Sequence, residues 1–283
     1  MATLVVIIHE YDTFLTRKDD SPRPFTSVYL LFDVAQHLHQ MGHKIRLAQG
    51  PEAIGGDAAL LHVDATIVSQ EYLDLEGRYP RAFNFSTFDI SKRNVSRLIL
   101  AKDEAWDGPV IVKSNFNNKA MAEDVHNRVA VRHGRPLPHP GVTAFDKYEV
   151  FDSIDQVHEH IWSDPSLVVE RFVPEEDGNG NFVFRTWVFM GPRERCTRFI
   201  TKDRISKAAG VLGYEPMEVP EKLRAERERL GFDFGKFDFV MHNGEPLLFD
   251  ANRTPGTAAA IREMRAKGAR NLAEGMHELL TGA

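Results

Sequence analysis

The 283-residue sequence holds a single cysteine, Cys196, so it can form neither a disulfide within the chain nor a cysteine metal cluster. Long apolar runs are missing too: none approaches the roughly 18 residues that a membrane helix requires. The N-terminus enters the apolar stretch 4–8 without a basic region, an extended apolar core or a small-residue cleavage site, which argues against a secretory signal. A basic excess is also absent. The 35 Lys and Arg against 41 Asp and Glu give a formal charge of −6, the reverse of a nucleic-acid-binding footprint. No internal repeat or low-complexity tract stands out. These absences lead us to expect a cytoplasmic protein with neither a membrane nor a nucleic acid as partner. The 42% hydrophobic and 27% charged residues match an ordinary soluble enzyme, long enough for one large or two smaller domains.

The run Leu4-Val5-Val6-Ile7-Ile8 has the continuous apolar character of a buried parallel strand. A polar loop, 9–26, follows, carrying His9, Glu10, Arg17, Lys18 and Arg23. A helical stripe over 27–41 places Val28, Leu31, Phe32, Ala35 and Leu38 on one face, and Gly42 ends it. A second strand is expected at 44–48 and a third apolar segment at 65–68. In such a β-α-β unit a ligand lies beyond the carboxyl ends of the strands, so the 9–26 loop is a substrate-contact candidate. Downstream, the pattern predicts a helix over 91–101 capped by Ser91, a strand 109–113 ending in Lys113, and a helix over 153–162. A strand 167–173 leads into the acidic, glycine-bearing loop 174–180. Two antiparallel strands, 182–190 and 195–201, flank Gly191-Pro192. A charged helix at 220–230 and a last helix at 258–266 complete the pattern, and 132–141 is a His/Pro-rich loop.

Residues 237–256 read FDFVMHNGEPLLFDANRTPG. The Asn243-Gly244 pair marks a hairpin turn between strands 236–241 and 247–251. Because alternate side chains of a strand share a face, Asp250 and Asn252 point together and Asp238 lies across from them. Such hard oxygen donors suit Mg²⁺, which in nucleotide enzymes takes one or two carboxylates and fills its octahedron with phosphate and water. A polar-edged hairpin with solvated acids is the competing reading of the same residues.

Ahead of the hairpin stand a strand-borne lysine, Lys113, an acid before a loop, Glu170, and a strand arginine, Arg185. This ordered set resembles the ATP-grasp superfamily, and within it the glutathione-synthetase-like members. The resemblance runs over about 91–256. It implies an α/β architecture with an N-terminal Rossmann-like β-α-β domain (1–90), then a central subdomain (91–173) and a C-terminal subdomain with the metal site (174–283). The two later α+β subdomains would sandwich ATP. The segment VIVK would bring Lys113 to the α-phosphate. In LVVERFV, Arg171, Phe172 and Val173 would form the adenine hinge and Glu170 would meet the adenine amino group. Asp177, with Glu176 as the alternative, would hold the ribose. Lys92 would be a first nucleotide-contacting lysine, a role for which Arg93 and Lys102 also compete. Asp238, Asp250 and Asn252 would bind the Mg²⁺ ions that bridge the ATP phosphates, and Pro255-Gly256 would close the signature.

Two departures from that family pattern are visible. Asp250 stands where the family has a glutamate, one methylene longer. A glycine-rich loop after the lysine strand is missing, and 114–121 reads SNFNNKAM instead, where Asn117 and Asn118 offer amide donors and tolerate left-handed backbone. The resemblance implies a ligase that joins a carboxylate to an amine through an acyl phosphate, acting on small molecules or short peptides. Arg185 and one of Lys202 or Arg204 are expected to clamp the phosphoryl group and acyl oxygen, and Arg253 to meet a substrate carboxylate. A small-molecule kinase and a non-catalytic nucleotide-binding module are the alternatives. The oligomeric state, a homodimer included, stays open.

Overall fold

A computed structural model describes residues 1–13, 15–17, 25–27, 29–205, 210–256 and 262–282. A four-stranded parallel sheet has the order β4-β1-β5-β6, from β1 (Thr3–Ile8), β4 (Lys44–Gln49), β5 (Ala58–Leu61) and β6 (Ala82–Phe83). Two short strands, β2 (Leu15–Arg17) and β3 (Phe25–Ser27), pair with each other between β1 and helix α1 (Leu30–Gln40). Every residue of the apolar run in β1 is buried, because helices cover both of its faces. Leu4, Val6 and Ile8 pack with Val34 and Leu38 of α1 and with Leu272 and Met276 of the C-terminal helix α7 (Arg262–Thr281). Val5 and Ile7 pack on the other side with Leu61 and with Tyr72 of the short helix α2 (Gln70–Leu73). This two-sided burial is why the run is continuous rather than alternating.

The third strand of this sheet is not where the apolar pattern places it. AALL at 58–61 forms β5, whereas Ile67 in the expected segment 65–68 makes only an isolated bridge to Asp89. Small alanines gave the true strand a weak hydrophobic signal. Likewise only Lys92–Val95 of the expected helix 91–101 is helical (α3). Beyond it the backbone of Arg97 bonds Leu248, that of Leu100 bonds Val169, and Ile99 bridges Glu170, so extended pairing wins over local helix propensity.

A second sheet has the order β8-β7-β9, from β7 (Val110–Ser114), β8 (Glu149–Phe151) and β9 (Leu167–Arg171). Helices α4 (Met121–Arg132) and α5 (Glu159–Ser163) accompany it, the latter shorter than the expected 153–162, where a separate turn of 3₁₀ helix covers Ile154–Gln156. The third sheet runs β13-β12-β11-β14-β15, with β10 (Glu175–Glu176) beside β11. Its members are β11 (Phe182–Met190), β12 (Arg193–Thr201), β13 (Val211–Met217), β14 (Phe234–His242) and β15 (Glu245–Asn252). The strand β13 carries Gly213 and Pro216 and so escapes the sequence pattern. Its edge position tolerates them, because an edge strand has no second partner for the missing proline N–H. Helix α6 (Glu221–Leu230) ends at Gly231, whose φ of +67° no β-carbon-bearing residue adopts easily. The expected helix 258–266 begins at residues outside those described, as do Lys18, Arg23 and Thr257.

His62, directly after β5, is fully buried between Tyr29, edge-on at 5.0 Å, and Phe234. Neither ring nitrogen finds a partner among the described residues. Burial lowers its pKa to about 3, with the nearby Arg253 guanidinium acting in the same direction. An imidazole that stays neutral in the fold but protonates near 6.5 when unfolded contributes full stability above that value and loses it as the pH falls towards 3. Lowering the pH from 7 to 5 should cost about 2 kcal/mol at this position alone. Denaturant melts at the two pH values should show a smaller difference for His62→Leu than for the parent, and equal differences would refute this role.

Candidate nucleotide site

The sheet β8-β7-β9 and the third sheet face each other across a cavity of about 400 Å³. Strand alternation decides what enters it. Val110 and Val112 of β7 point into an apolar cluster with Ile161 and Val169, so Ile111 and Lys113 face the cavity. Lys113 Nζ lies 2.7 Å from Glu170 Oε2 and 4.9 Å from the Phe249 ring centroid. Glu170 is fully buried, and its second oxygen has no hydrogen-bond partner among the described residues. An unsatisfied buried acceptor is costly and calls for a donor. Arg171, Phe172 and Val173 line the cavity next to it. The N–H groups of Arg171 and Phe172 already donate to Leu98 and Pro109 carbonyls, whereas among the described residues that of Val173 has no partner.

On the opposite wall a β-bulge between Asp238 and Phe239 breaks the β14–β15 register. Asp238 pairs with Asp250, but Phe239 pairs with Leu248, so the extra residue Phe249 and its neighbour Asp250 both reach the cavity. Bulges beside active sites commonly re-aim a side chain in this way. Asn252 lies opposite Lys236 rather than opposite Asp238. Each carboxylate is held by a lysine: Asp250 by Lys92, and Asp238 by Lys236 at 2.7 Å. Thr186 Oγ1 also donates to Asp238 at 2.8 Å. Burial opposes the ionisation of Asp250, yet Lys92, Lys236 and Lys113 outweigh it and hold its pKa below the usual carboxylate value. Burial likewise opposes protonation of Lys236, and Asp238 and Asp250 raise its pKa nonetheless. The Oδ1 atom of Asn252 accepts from the Thr254 N–H and hydroxyl.

The loop that replaces a glycine-rich lid also reaches the cavity. Asn117 and Asn118 line it, and Thr66 Oγ1 accepts the Asn117 N–H at 2.8 Å. Asn118, Lys119 and Ala120 follow one another with φ of 42°, 61° and 60°. Three consecutive left-handed residues without a glycine cost about 1–2 kcal/mol each, a strain that folds tend to keep where a backbone must take a special shape.

Several expected side chains lie elsewhere. Arg185 sits on the face of β11 opposite Thr186, buried in a bidentate pair with Glu175 and close to Cys196, so it does not reach Asp238 or the cavity as a phosphoryl clamp would. Arg253 is fully buried and donates four of its five N–H groups to the carbonyls of Val63, Ala65, Thr66 and Thr87, so it does not line the cavity where a substrate carboxylate would lie. It ties the hairpin to the loops that follow β5. Asp177 accepts from the Asn179 and Asn181 N–H groups and the Asn181 amide, which lowers its pKa to about 2. That closes its own turn away from the cavity, which Glu175 lines instead. Glu176 is exposed. Of the two cations after β12, Arg204 lines the cavity, its guanidinium 4.8 Å from the Phe172 ring centroid, and Lys202 does not. Arg93 is bonded to the Leu167 carbonyl and Lys102 to Glu159, so Lys92 is the one of the three that lines the cavity. Sequence reasoning missed Lys236. Its signal was the spacing K-F-D, which sets it on the same strand face as Asp238.

No family model matches this chain, and no curated protein matches it by sequence. Solved structures do. D-alanine–D-alanine ligase from Bacillus anthracis complexed with ATP superposes with a TM-score of 0.52 at 15% identity, covering 99% of this chain and 98% of that one. ATP-grasp ligase PsnB, complexed with a phosphomimetic variant of its minimal precursor, Mg and ADP, superposes with a TM-score of 0.54 at 13% identity, covering 98% of each chain. PsnB with precursor peptide PsnA2 and AMPPNP gives 0.53 at 12% identity, again covering 98% of each.

Proposed function

We propose that this chain, whose fold is that of the ATP-grasp proteins, is an ATP- and Mg²⁺-dependent ligase joining a carboxylate to an amine. One observation carries the reading: a single cavity is lined on one side by Lys113, which the buried Glu170 holds, and on the other by Asp250, Asn252, Lys92 and Lys236. The residues fit a nucleotide. The unpartnered Glu170 oxygen suits the adenine amino group, Val173 N–H suits a ring nitrogen, and Phe172 and Phe249 offer apolar walls. Lys113 and Lys92 suit phosphate oxygens. Asp238, Asp250 and Asn252 would hold Mg²⁺, which supplies charge neutralisation of the phosphates and polarises the transferred phosphoryl group.

In this reading a substrate carboxylate oxygen attacks the γ-phosphorus, ADP leaves, and an acyl phosphate forms. The amine lone pair then attacks the acyl carbon, phosphate departs, and the amine gives up a proton. Negative charge builds in both steps, and Lys236 and Arg204 are the cavity cations placed to meet it. Lys236, paired with Asp238, lines the same wall of the cavity and would be the cation nearest the hairpin to meet a developing oxyanion. No protein nucleophile is needed. Chain segments 1–90, 91–173 and 174–283 would then act as substrate-side domain, lysine-side wall and metal-side wall.

The test is an ADP-release screen over pairs of carboxylates and amines, short peptides included. Amine-dependent ADP and phosphate formation is expected, falling at least about 10²-fold in Lys113→Ala. Equal activity in variant and parent would overturn the nucleotide assignment, and a phosphorylated product formed without amine would redirect it to a kinase.

A further inference from the structure

A second cavity, of about 1240 Å³, opens beyond the carboxyl ends of β1 and β5. Three histidines from distant points of the chain meet at its wall. His9 follows β1, His126 lies in the middle of α4, and His139 belongs to the His/Pro-rich loop. One ligating atom from each lies within 4.8 Å of those of the other two. His9 and His126 are buried, and His9 and His139 line the cavity. From this geometry we propose that His9, His126 and His139 form a site for a transition-metal dication of the Zn²⁺ type, with an open position facing the cavity.

Three imidazoles plus one free position are the donor set of catalytic zinc sites, and borderline-soft nitrogen selects Zn²⁺, Co²⁺ or Ni²⁺ over Mg²⁺. Tetrahedral zinc with Zn–N of about 2.0–2.1 Å places ligand nitrogens roughly 3.4 Å apart. His126 Nδ1 and His139 Nε2 are 3.3 Å apart. The residue after His126 fixes that spacing: Asn127 accepts the His139 N–H at 3.0 Å and donates to the His139 carbonyl at 2.7 Å and the Val142 carbonyl at 3.2 Å. An asparagine clamping the main chain of one ligand to the helix that carries another is a positioning residue for the site. His9 completes the set by moving. Its ring stacks on His126 at 3.7 Å and its Nδ1 accepts the Tyr11 N–H, so ligation exchanges that bond and the stack for a metal–nitrogen bond. Water or a donor atom of a molecule in the cavity, which Glu10 and Glu71 also line, takes the fourth position.

The experiment uses the full chain, stripped with chelator and titrated with Co²⁺ without nucleotide. The expected result is one Co²⁺ per chain, with the intense visible bands of tetrahedral nitrogen coordination, displaced by an equivalent of Zn²⁺. His9→Gln, His126→Gln and His139→Gln should each weaken binding by about 100-fold or more, and Asn127→Ala by about 10–100-fold. Asp250→Asn should bind Co²⁺ at this site like the parent, which separates the histidine site from the hairpin. Circular dichroism verifies folding. If His126→Gln fails to fold, the loop variants His9→Gln and His139→Gln decide. Absence of saturable binding in the parent, or unchanged binding in the folded histidine variants, would overturn the proposal.

Discussion

Asp250→Asn is expected to lower ATP turnover by about 10³-fold while leaving the chain folded. The substitution is nearly isosteric and keeps one oxygen, so the bulge and the cavity walls persist. It removes the charge on which Mg²⁺ would rest and on which Lys92 already rests. With Lys92 only 6% exposed at its side chain, the variant leaves that ammonium buried without its acid. Breaking a buried pair by removing one partner costs about 3–5 kcal/mol, so the ligand-free variant should also melt earlier. These effects separate cleanly when ATP affinity is measured with and without Mg²⁺. A variant that melts earlier but keeps parental turnover would show that Asp250 is only an ion-pair partner.

Arg253→Met should be strongly destabilising. The guanidinium reaches four backbone carbonyls and no side chain. Two of them have other donors: the Val63 carbonyl accepts the Ala65 N–H, and the Thr66 carbonyl accepts the Ile90 N–H. The carbonyls of Ala65 and Thr87 have no other donor among the described residues and would be orphaned. At about 1–3 kcal/mol per buried unsatisfied group, the loss is about 2–6 kcal/mol, a large part of the stability of a typical domain. Lysine should rescue little, because a single ammonium cannot span the fork that a guanidinium does. Denaturant melts of the two variants measure this. A loss below 1 kcal/mol in Arg253→Met would contradict the structural role assigned here.

These two residues also show how far the sequence could be read. Asp250 was legible because strand alternation and an Asn-Gly turn fix which side chains share a face, and both are local. Arg253 was not. Its neighbour Asn252 suggests a ligand, but what surrounds Arg253 is set by loops 166 to 190 positions earlier, and no local pattern announces four converging carbonyls. Arg185 lies off the cavity for a narrower reason: one position along β11 exchanges the two faces of the sheet, and Thr186, not Arg185, shares the face of Asp238. The same alternation could have found Lys236, two residues from Asp238. Lys113 and Glu170 lay at the ends of apolar strands, so the strands that carry them were readable. The helix expected over 91–101 dissolved into long-range backbone pairing, a competition that propensity does not contain.

In the proposed function, one cavity binds ATP through Lys113 and its partner Glu170 on one wall and through a metal held by the hairpin on the other. Calorimetric titration of ATP in the presence and absence of Mg²⁺, for the parent and for Asp250→Asn, tests it most directly. Mg²⁺ should tighten ATP binding at least tenfold in the parent, equivalent to about 1.4 kcal/mol, and this gain should largely disappear in the variant. An equal Mg²⁺ effect in the two proteins would contradict it.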